Sequence, residues 1–135
     1  MRVLFVLFAD AANHSIEGKL NITGEYNSVI APQLPAIVVS TLSIVRLELQ
    51  KGDKRKHSAT FDLVSPEPAT VLARMTQDFT IPASRTPLLP ERINLISTLQ
   101  GLILPTYGRY ELRVSVDGKL LEVAPLAVIP KQLGP

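Results

Sequence analysis

Residues 110–123 read YELRVSVDGKLLEV, and this stretch decides the fold class. Its apolar residues occupy positions 110, 112, 114 and 116, which is the period of two expected of a β-strand with one buried face. Asp117 and Gly118 separate this run from a second apolar run. Asp-Gly is typical of a type I′ turn, whose two central residues need positive φ. The stretch therefore predicts a β-hairpin with a two-residue turn at Asp117-Gly118.

The predicted turn also implies a register for the hairpin. If Val116 faces Lys119, the opposed residue pairs are Leu112 with Val123, Val114 with Leu121, and Arg113 with Glu122. The apolar pairs would then share one face and the opposite charges the other. Such cross-strand pairs contribute about 0.2–1 kcal/mol each.

Similar patterns along the chain predict about eight strands in one domain spanning residues 1–135. The predicted strands cover residues 2–9, 19–30, 37–50, 57–64, 71–81, 93–104, 107–116 and 119–128. A polar connection follows the first strand at 10–18, and a proline-containing crossing between sheets occupies 82–92. Residues 129–135 are expected to fray. Short strands with frequent turns favour an all-β sandwich of mainly antiparallel strands, either immunoglobulin-like or jelly-roll-like.

The first residues allow a second interpretation. Residues 3–9 form an apolar run after a single arginine, and Ala9-Asp10-Ala11 loosely fits a signal-peptidase site, so a short signal peptide at 1–11 is an alternative. The apolar run is at the short limit for a signal peptide. A first strand buried on both faces is therefore the favoured interpretation.

Composition limits the class of protein. The chain has 135 residues, of which 46% are hydrophobic and 19% charged, and this balance argues against disorder. No apolar run approaches the ~20 residues that span a bilayer. The chain contains no cysteine, which excludes disulfides and thiolate metal sites.

The motifs that remain are structural. They are turns, bends and core positions: Asp10-Ala11, Gly18-Lys19-Leu20, Gly24, Ala31-Pro32, Leu34-Pro35, Asn94, Leu99-Gln100-Gly101-Leu102, Gly108-Arg109-Tyr110 and Val116-Asp117-Gly118. In these motifs the chain resembles an uncharacterised family of small bacterial proteins, one of the catalogued domains of unknown function. The resemblance implies an all-β fold and a bacterial cytoplasmic setting, and it implies no reaction.

No motif predicts catalysis or a cofactor. His57 is close in sequence to Ser58 and Asp62, but alternation along a strand puts it on the opposite face from both, which argues against a nucleophilic triad. We expect a surface histidine. Asp10, Asn13, His14 and Glu17 offer metal ligands, but their spacing fits neither a calcium loop nor a zinc site, and a polar turn is the simpler interpretation. We therefore expect no catalytic, cofactor or metal residues.

The charged loop at 51–56 is a second candidate site. Lys51, Lys54, Arg55 and Lys56 surround Asp53 and could contact an anion such as a nucleic-acid phosphate. No aromatic residue is interleaved to stack on bases, so a solvated hairpin tip is the favoured interpretation and nucleic acid is not the expected partner.

A surplus of apolar side chains favours a protein partner instead. Val38-Val39 and Leu102-Ile103-Leu104 are apolar at successive positions, so some of these side chains point away from a single core. The sequence therefore predicts a non-enzymatic binding or assembly module that self-associates or docks a protein through a sheet face or edge. The alternatives are a small-ligand protein or enzyme with a loop-built site such as 10–18, and a weak polyanion binder acting through the loop at 51–56.

Overall fold

The computed structural model describes residues 1–83 and 88–131, which form nine β-strands and no helix. The strands are β1 (Arg2–His14), β2 (Leu20–Tyr26), β3 (Ser28–Ala31), β4 (Ala36–Glu48), β5 (Lys56–Val64), β6 (Val71–Thr80), β7 (Arg92–Leu104), β8 (Gly108–Val116) and β9 (Lys119–Pro130). The predicted all-β class is confirmed.

The strands form two sheets. Sheet A has the order β2-β1-β4-β7 and sheet B the order β3-β9-β8-β5-β6. All the pairings are antiparallel except that of β3 with β9. The neighbours β4–β7 and β5–β8–β9 correspond to the B–E and C–F–G strands of immunoglobulin sandwiches, with β6 in the place of C′. The strand order therefore favours the immunoglobulin-like alternative over the jelly roll.

Alternation along the strands supplies the core between the sheets. Val45, Leu47 and Leu95 come from sheet A, and the predicted inward residues Phe61 and Leu63 of β5 come from sheet B, all at most 2% exposed. Leu112 and Val114 of the hairpin are fully buried in the same core. The two predicted inner faces are thus joined in one hydrophobic cluster.

The hairpin turn is confirmed, but its predicted register is wrong beyond the first pairs. Asp117 and Gly118 have φ of 51° and 82°, as a type I′ turn requires. The register then shifts by one residue between Ser115 and Val114, so that Leu112 faces Ala124 and Val114 faces Glu122. Arg113 faces Val123 instead of Glu122. The register shift leaves one extra residue in β9, as in a β-bulge. As a result Ala124, Leu126 and Val128 point into the core, whereas Leu121 and Val123 are only half-buried.

The expected second strand, residues 19–30, is two strands, and this raises the count from eight to nine. The chain leaves sheet A after β2, where Asn27 O accepts a hydrogen bond of 3.0 Å from Ala127 N, and β3 then joins sheet B. Two further boundaries were also wrong. Residues 10–14 extend β1 because they pair with β2, and Ile129 and Pro130 belong to β9 because they pair with β3. The predicted crossing at 82–92 does link sheet B to sheet A, although residues 84–87 lie outside the described chain, as do residues 132–135 of the expected frayed tail.

The β1–β2 hairpin forms a flap, residues 11–23, over the outer face of sheet A. β1 pairs with β4 only as far as Ala9, and beyond this point it pairs with β2 alone. His14 Nε2 then accepts a hydrogen bond of 3.2 Å from Nδ2 of Asn94. Asn94 lies in the cross-strand row of Arg46 and Phe5, on the face away from the core. The hairpin has therefore folded back by several residues across the sheet.

The flap explains a buried residue on the outer face. Ile44 lies between Leu7 and Ile96 in one cross-strand row and is 0% exposed, although its neighbours in the chain, Ser43 and Val45, face the core. The flap side chains that share the face of His14 are half-buried, namely Ala12, Leu20 and Ile22. Because Ile44 is fully buried on this face, we infer that these side chains form a third layer over the row.

Tyr110 stabilises the connection between β7 of sheet A and β8 of sheet B. Its buried hydroxyl donates to Thr106 O at 2.8 Å and accepts from Thr106 N at 3.0 Å. A tyrosine near the start of this strand that bonds to backbone a few residues upstream is the tyrosine corner of immunoglobulin-like sandwiches.

Tyr110→Phe should lower the free energy of unfolding by about 1–3 kcal/mol, because both Thr106 backbone groups lose their partner in a part-buried site. Urea unfolding measures the loss. Tyr107→Phe is the matched control, since the Tyr107 hydroxyl donates a single bond of 2.8 Å, to Ala31 O, from a more exposed ring. An equal loss in both variants would contradict the special role of Tyr110.

Candidate functional site

An exposed apolar surface occupies the end of the sandwich where β4 begins and β7 ends. We call it the end patch, and it consists of Ile30, Ile37, Val39 and Ile103, which are 63%, 65%, 78% and 57% exposed. Ile37 and Ile103 are direct cross-strand partners, and Val39 lies two residues beyond Ile37. Isolated exposed aliphatic side chains are ordinary, but neighbouring ones mark an interaction surface.

A switch of faces within β4 and β7 creates this patch. Val45, Leu47, Leu95 and Leu99 place the odd-numbered residues of both strands towards the core. Nearer the patch, the core residues are even-numbered: Ala36, Leu102 and Leu104 are buried, whereas Ile103 is exposed. Gly101, with φ of +62°, lies at the switch. The prediction that some of the successive apolar residues point away from the core is confirmed.

Two shallow depressions flank the end patch. One lies beside β7 and is lined by residues that include Leu72, Leu99, Gly101 and Ile103, with a volume of about 430 Å³. The other, of about 290 Å³, is lined by residues that include Ile30, Pro32 and Ile37. No described residue that lines either depression is charged. The end patch is therefore continuous with uncharged surface on both sides.

Sequence reasoning missed Ile30 and Ile37. Both side chains flank the proline-containing segment at 32–35, where alternation gives no reliable face. The successive apolar residues at 37–39 were the available signal, and their outward direction depends on the switch of faces near Gly101.

A polar cluster lies at the turn of the β8–β9 hairpin. His57 Nδ1 is 2.6 Å from Asp117 Oδ2, and its Nε2 contacts Lys54 O. Both partners are hydrogen-bond acceptors, so each ring nitrogen of His57 lies beside an oxygen atom that can accept a hydrogen bond from it. The ring also stacks on Phe79, with centroids 5.5 Å apart. The His57 side chain is 8% exposed, so the expected surface histidine was wrong.

This cluster ties together three segments of the chain. Asp117 Oδ1 accepts a bond of 2.9 Å from Ser58 N, and Asp117 N donates to Ser58 O at 2.8 Å. The contact with Lys54 O adds the charged loop. The geometry is that of a structural clasp, because each polar atom of the His57 ring and both carboxylate oxygens of Asp117 already have a partner within the chain.

The clasp predicts a pH dependence of stability. Hydrogen bonds from His57 and from Ser58 N lower the pKa of Asp117, so the fold favours its ionised form. Its contribution is therefore present above the unfolded pKa of about 3.9 and is lost as the pH falls through the lower folded value. Asp117→Asn should reduce the difference in unfolding free energy between about pH 6 and pH 3. Asparagine tolerates the φ of 51°, and an unchanged difference would contradict the assignment.

The charged loop does not present four equivalent cations. Arg55 forms a bidentate ion pair with Glu91, at 2.5 and 2.8 Å, and donates to Ile81 O at 3.1 Å. Arg55 therefore anchors the loop. Lys51 and Lys54 lie on the same loop, and Lys56 is the first residue of β5. Contact with an anion remains a prediction for these three lysines.

The polar residues that offer metal ligands lie just before the flap (Asp10), along it (Asn13 and His14) and at its tip (Glu17). Asp10 lies against Gly24, Asn13 Oδ1 accepts from Asn21 Nδ2 at 3.0 Å, and Glu17 pairs with Lys19 at 3.5 Å. His14 instead contacts Asn94. Within the ranges 1–83 and 88–131, no group of three His, Cys, Asp or Glu side chains is placed to hold a metal ion.

Comparison with known proteins gives a family match. A model of a family of unknown function, DUF6941, matches residues 4–129, which is almost the whole chain. No curated protein matches. The description of the family names no reaction, ligand or partner, as the resemblance seen in the sequence had implied. In the described part of the chain, no helix has the length and apolar character needed to cross a bilayer.

Proposed function

The chain belongs to this family of unknown function, and we propose from the geometry that the protein is a non-enzymatic binding module. Membership of the family does not itself indicate an activity. The module docks a protein partner through the end patch. The observation that carries this proposal is the run of neighbouring exposed aliphatic side chains at Ile37, Val39 and Ile103, with uncharged surface around them. Burying such side chains contributes about 25 cal/mol per Å² of apolar area.

The polar groups of the described chain are less suited to chemistry. His57 and Asp117 engage each other and nearby backbone, and Arg55 is paired with Glu91. These groups stabilise loops and turns, whereas the end patch has no comparable structural role. This contrast supports a binding function over a catalytic one.

A bacterial cytoplasmic setting is part of the proposal. It is supported by the use of residues 3–9 as a strand of sheet A, which pairs with β4 and, at Phe8 and Ala9, also with β2. The same residues would be the apolar core of a signal peptide in the alternative interpretation.

Site-specific photo-crosslinking in the producing cells tests the proposed docking surface. A benzoylphenylalanine at position 103, in the end patch, should give a discrete protein adduct. The matched control replaces Ile16, an isoleucine at the tip of the flap that is fully exposed and far from the patch in the fold. Equal adducts from both positions, or no adduct from 103, would overturn the proposal. Exposed positions such as these are expected to change the unfolding free energy by less than about 0.5 kcal/mol.

A further inference from the structure

A lysine-rich surface occupies the end of the sandwich opposite the end patch. We call it the basic end, and it carries the exposed lysines Lys51, Lys54, Lys56 and Lys119. Lys51 follows the end of β4, Lys56 begins β5, and Lys119 begins β9 directly after the end of β8. These strand ends lie at one pole of the two sheets. The end patch lies where β4 begins, roughly 40 Å away along a strand of 13 residues.

The acidic side chains at this end do not cancel the charge of its surface. Glu48, Asp53 and Glu91 have side chains that are only 9%, 29% and 23% exposed, whereas all four lysines are exposed. Of the acidic residues described at this end, Asp78 and Asp117 are exposed. The exposed cations therefore outnumber the exposed acids, and the basic end presents a positively charged surface to solvent.

Exposed leucines lie among these charges. Leu89 and Leu120 are 67% and 52% exposed. Leu89 comes two residues before Glu91, whose side chain binds Arg55 of the charged loop, and Leu120 directly follows Lys119. Basic side chains beside exposed leucines are typical of surfaces that bind at the headgroup level of an anionic membrane. The cations attract the lipid phosphates, and the leucines enter the apolar region beneath the headgroups.

Contacts within the chain hold the segments of the basic end together. The ion pair of Arg55 with Glu91 joins the charged loop to the segment before β7. The contact of His57 with Asp117 joins β5 to the turn between β8 and β9. The lysines and leucines thus lie on connected segments, and a surface that is already ordered loses less conformational entropy when it binds.

We propose that the basic end docks the protein on a membrane surface rich in anionic phospholipids. The combination of features selects this partner. A nucleic acid would contact the lysines but offers no apolar surface to the leucines, and an uncharged partner would leave the lysines without a counter-charge. The proposal does not depend on the proposed function, because the end patch lies at the opposite pole and stays accessible to a protein partner.

Flotation of the full chain with lipid vesicles tests the proposal first. We expect binding to phosphatidylcholine vesicles that contain about 30% phosphatidylglycerol, little binding to pure phosphatidylcholine, and weaker binding at high salt. Lys54→Ser together with Lys119→Ser should weaken binding about 25-fold, because each lysine near an anionic surface contributes roughly a factor of five. Arg109→Ser together with Lys131→Ser is the matched control, since it removes the same charge from exposed positions at the opposite end. The control should change the affinity by less than about twofold.

Tryptophan fluorescence separates a membrane from other anionic partners, because the chain has no tryptophan of its own. The emission of Leu89→Trp should move to shorter wavelength when anionic vesicles are added, whereas that of Ile103→Trp, in the end patch, should not move. No binding to anionic vesicles, or equal weakening by the two double variants, would overturn the proposal. Binding to a short DNA duplex with no shift at position 89 would overturn it in favour of a soluble polyanion. None of these results alters the crosslinking expected at position 103.

Discussion

Ile44→Ala should lower the free energy of unfolding by about 2–5 kcal/mol, as expected for truncation of a fully buried isoleucine. The expectation is unusual for its position, because Ile44 lies on the face of sheet A that points away from the core between the sheets. In a simple two-layer sandwich this face is open to water. The size of the loss therefore measures how completely the flap, residues 11–23, covers the row of Leu7, Ile44 and Ile96.

Ile16→Ala is the matched control for this measurement. Ile16 makes the same chemical change at the tip of the flap, where the side chain is fully exposed. The control should shift the unfolding free energy by less than about 0.5 kcal/mol. Similar urea midpoints for the two variants would show that the flap does not shield Ile44. A cysteine at position 44 should also react with thiol reagents far more slowly than one at position 16.

Gly24→Ala should have the second large effect, because two costs add at this position. Gly24 has φ of +69°, where a residue with a Cβ is strained by about 1–3 kcal/mol. A Cβ would also lie on the Asp10 carboxyl group, 2.8 Å from its Cγ, so the Asp10 side chain would have to move. Asp10 is exposed and not part of the core, so its displacement adds about 0.5–1.5 kcal/mol if the side chain is forced away from a staggered rotamer.

Gly18→Ala separates the two costs. Gly18 has a similar φ of +84°, but an added Cβ would meet nothing within 4 Å. Denaturant unfolding should therefore show a larger loss for Gly24→Ala than for Gly18→Ala. The difference should shrink when Asp10→Ala is combined with Gly24→Ala. Equal losses for the two glycine variants would rule out the contact with Asp10 as a cause.

These two sites show how far the sequence pattern reaches. Gly24 falls inside the predicted second strand, residues 19–30, and its positive φ marks a local irregularity there. Neither the role of Asp10 nor the return of the flap over sheet A could be read from the pattern, because His14 and Asn94 are 80 residues apart in the chain. The turn-forming residues Asn13, Ser15 and Gly18 predicted a polar connection at 10–18, whereas residues 10–14 extend β1 because they pair with β2.

The sequence predicted only part of the candidate site. Successive apolar residues at 38–39 and 102–104 signalled an outward surface, and Ile103 and Val39 are indeed exposed. The side that each residue faces depends on the switch near Gly101, which involves both strands at once. The clasp of His57 and Asp117 was not predicted, because the two residues are 60 positions apart and meet only when β5 packs beside β8.

Class, approximate strand positions and the Asp117-Gly118 turn follow from interactions between neighbours in the chain: steric alternation of side chains along a strand, and the φ values that Asp and Gly tolerate. The shift of register in the last hairpin, the departure of β3 to sheet B and the flap over Ile44 follow from contacts between distant segments. Such contacts are settled by which arrangement buries the most apolar surface with its hydrogen bonds satisfied, a property of the assembled sheets as a whole. The end patch also depends on the assembled sheets, because which apolar side chains remain exposed is decided only when the two sheets pack and the core positions are occupied.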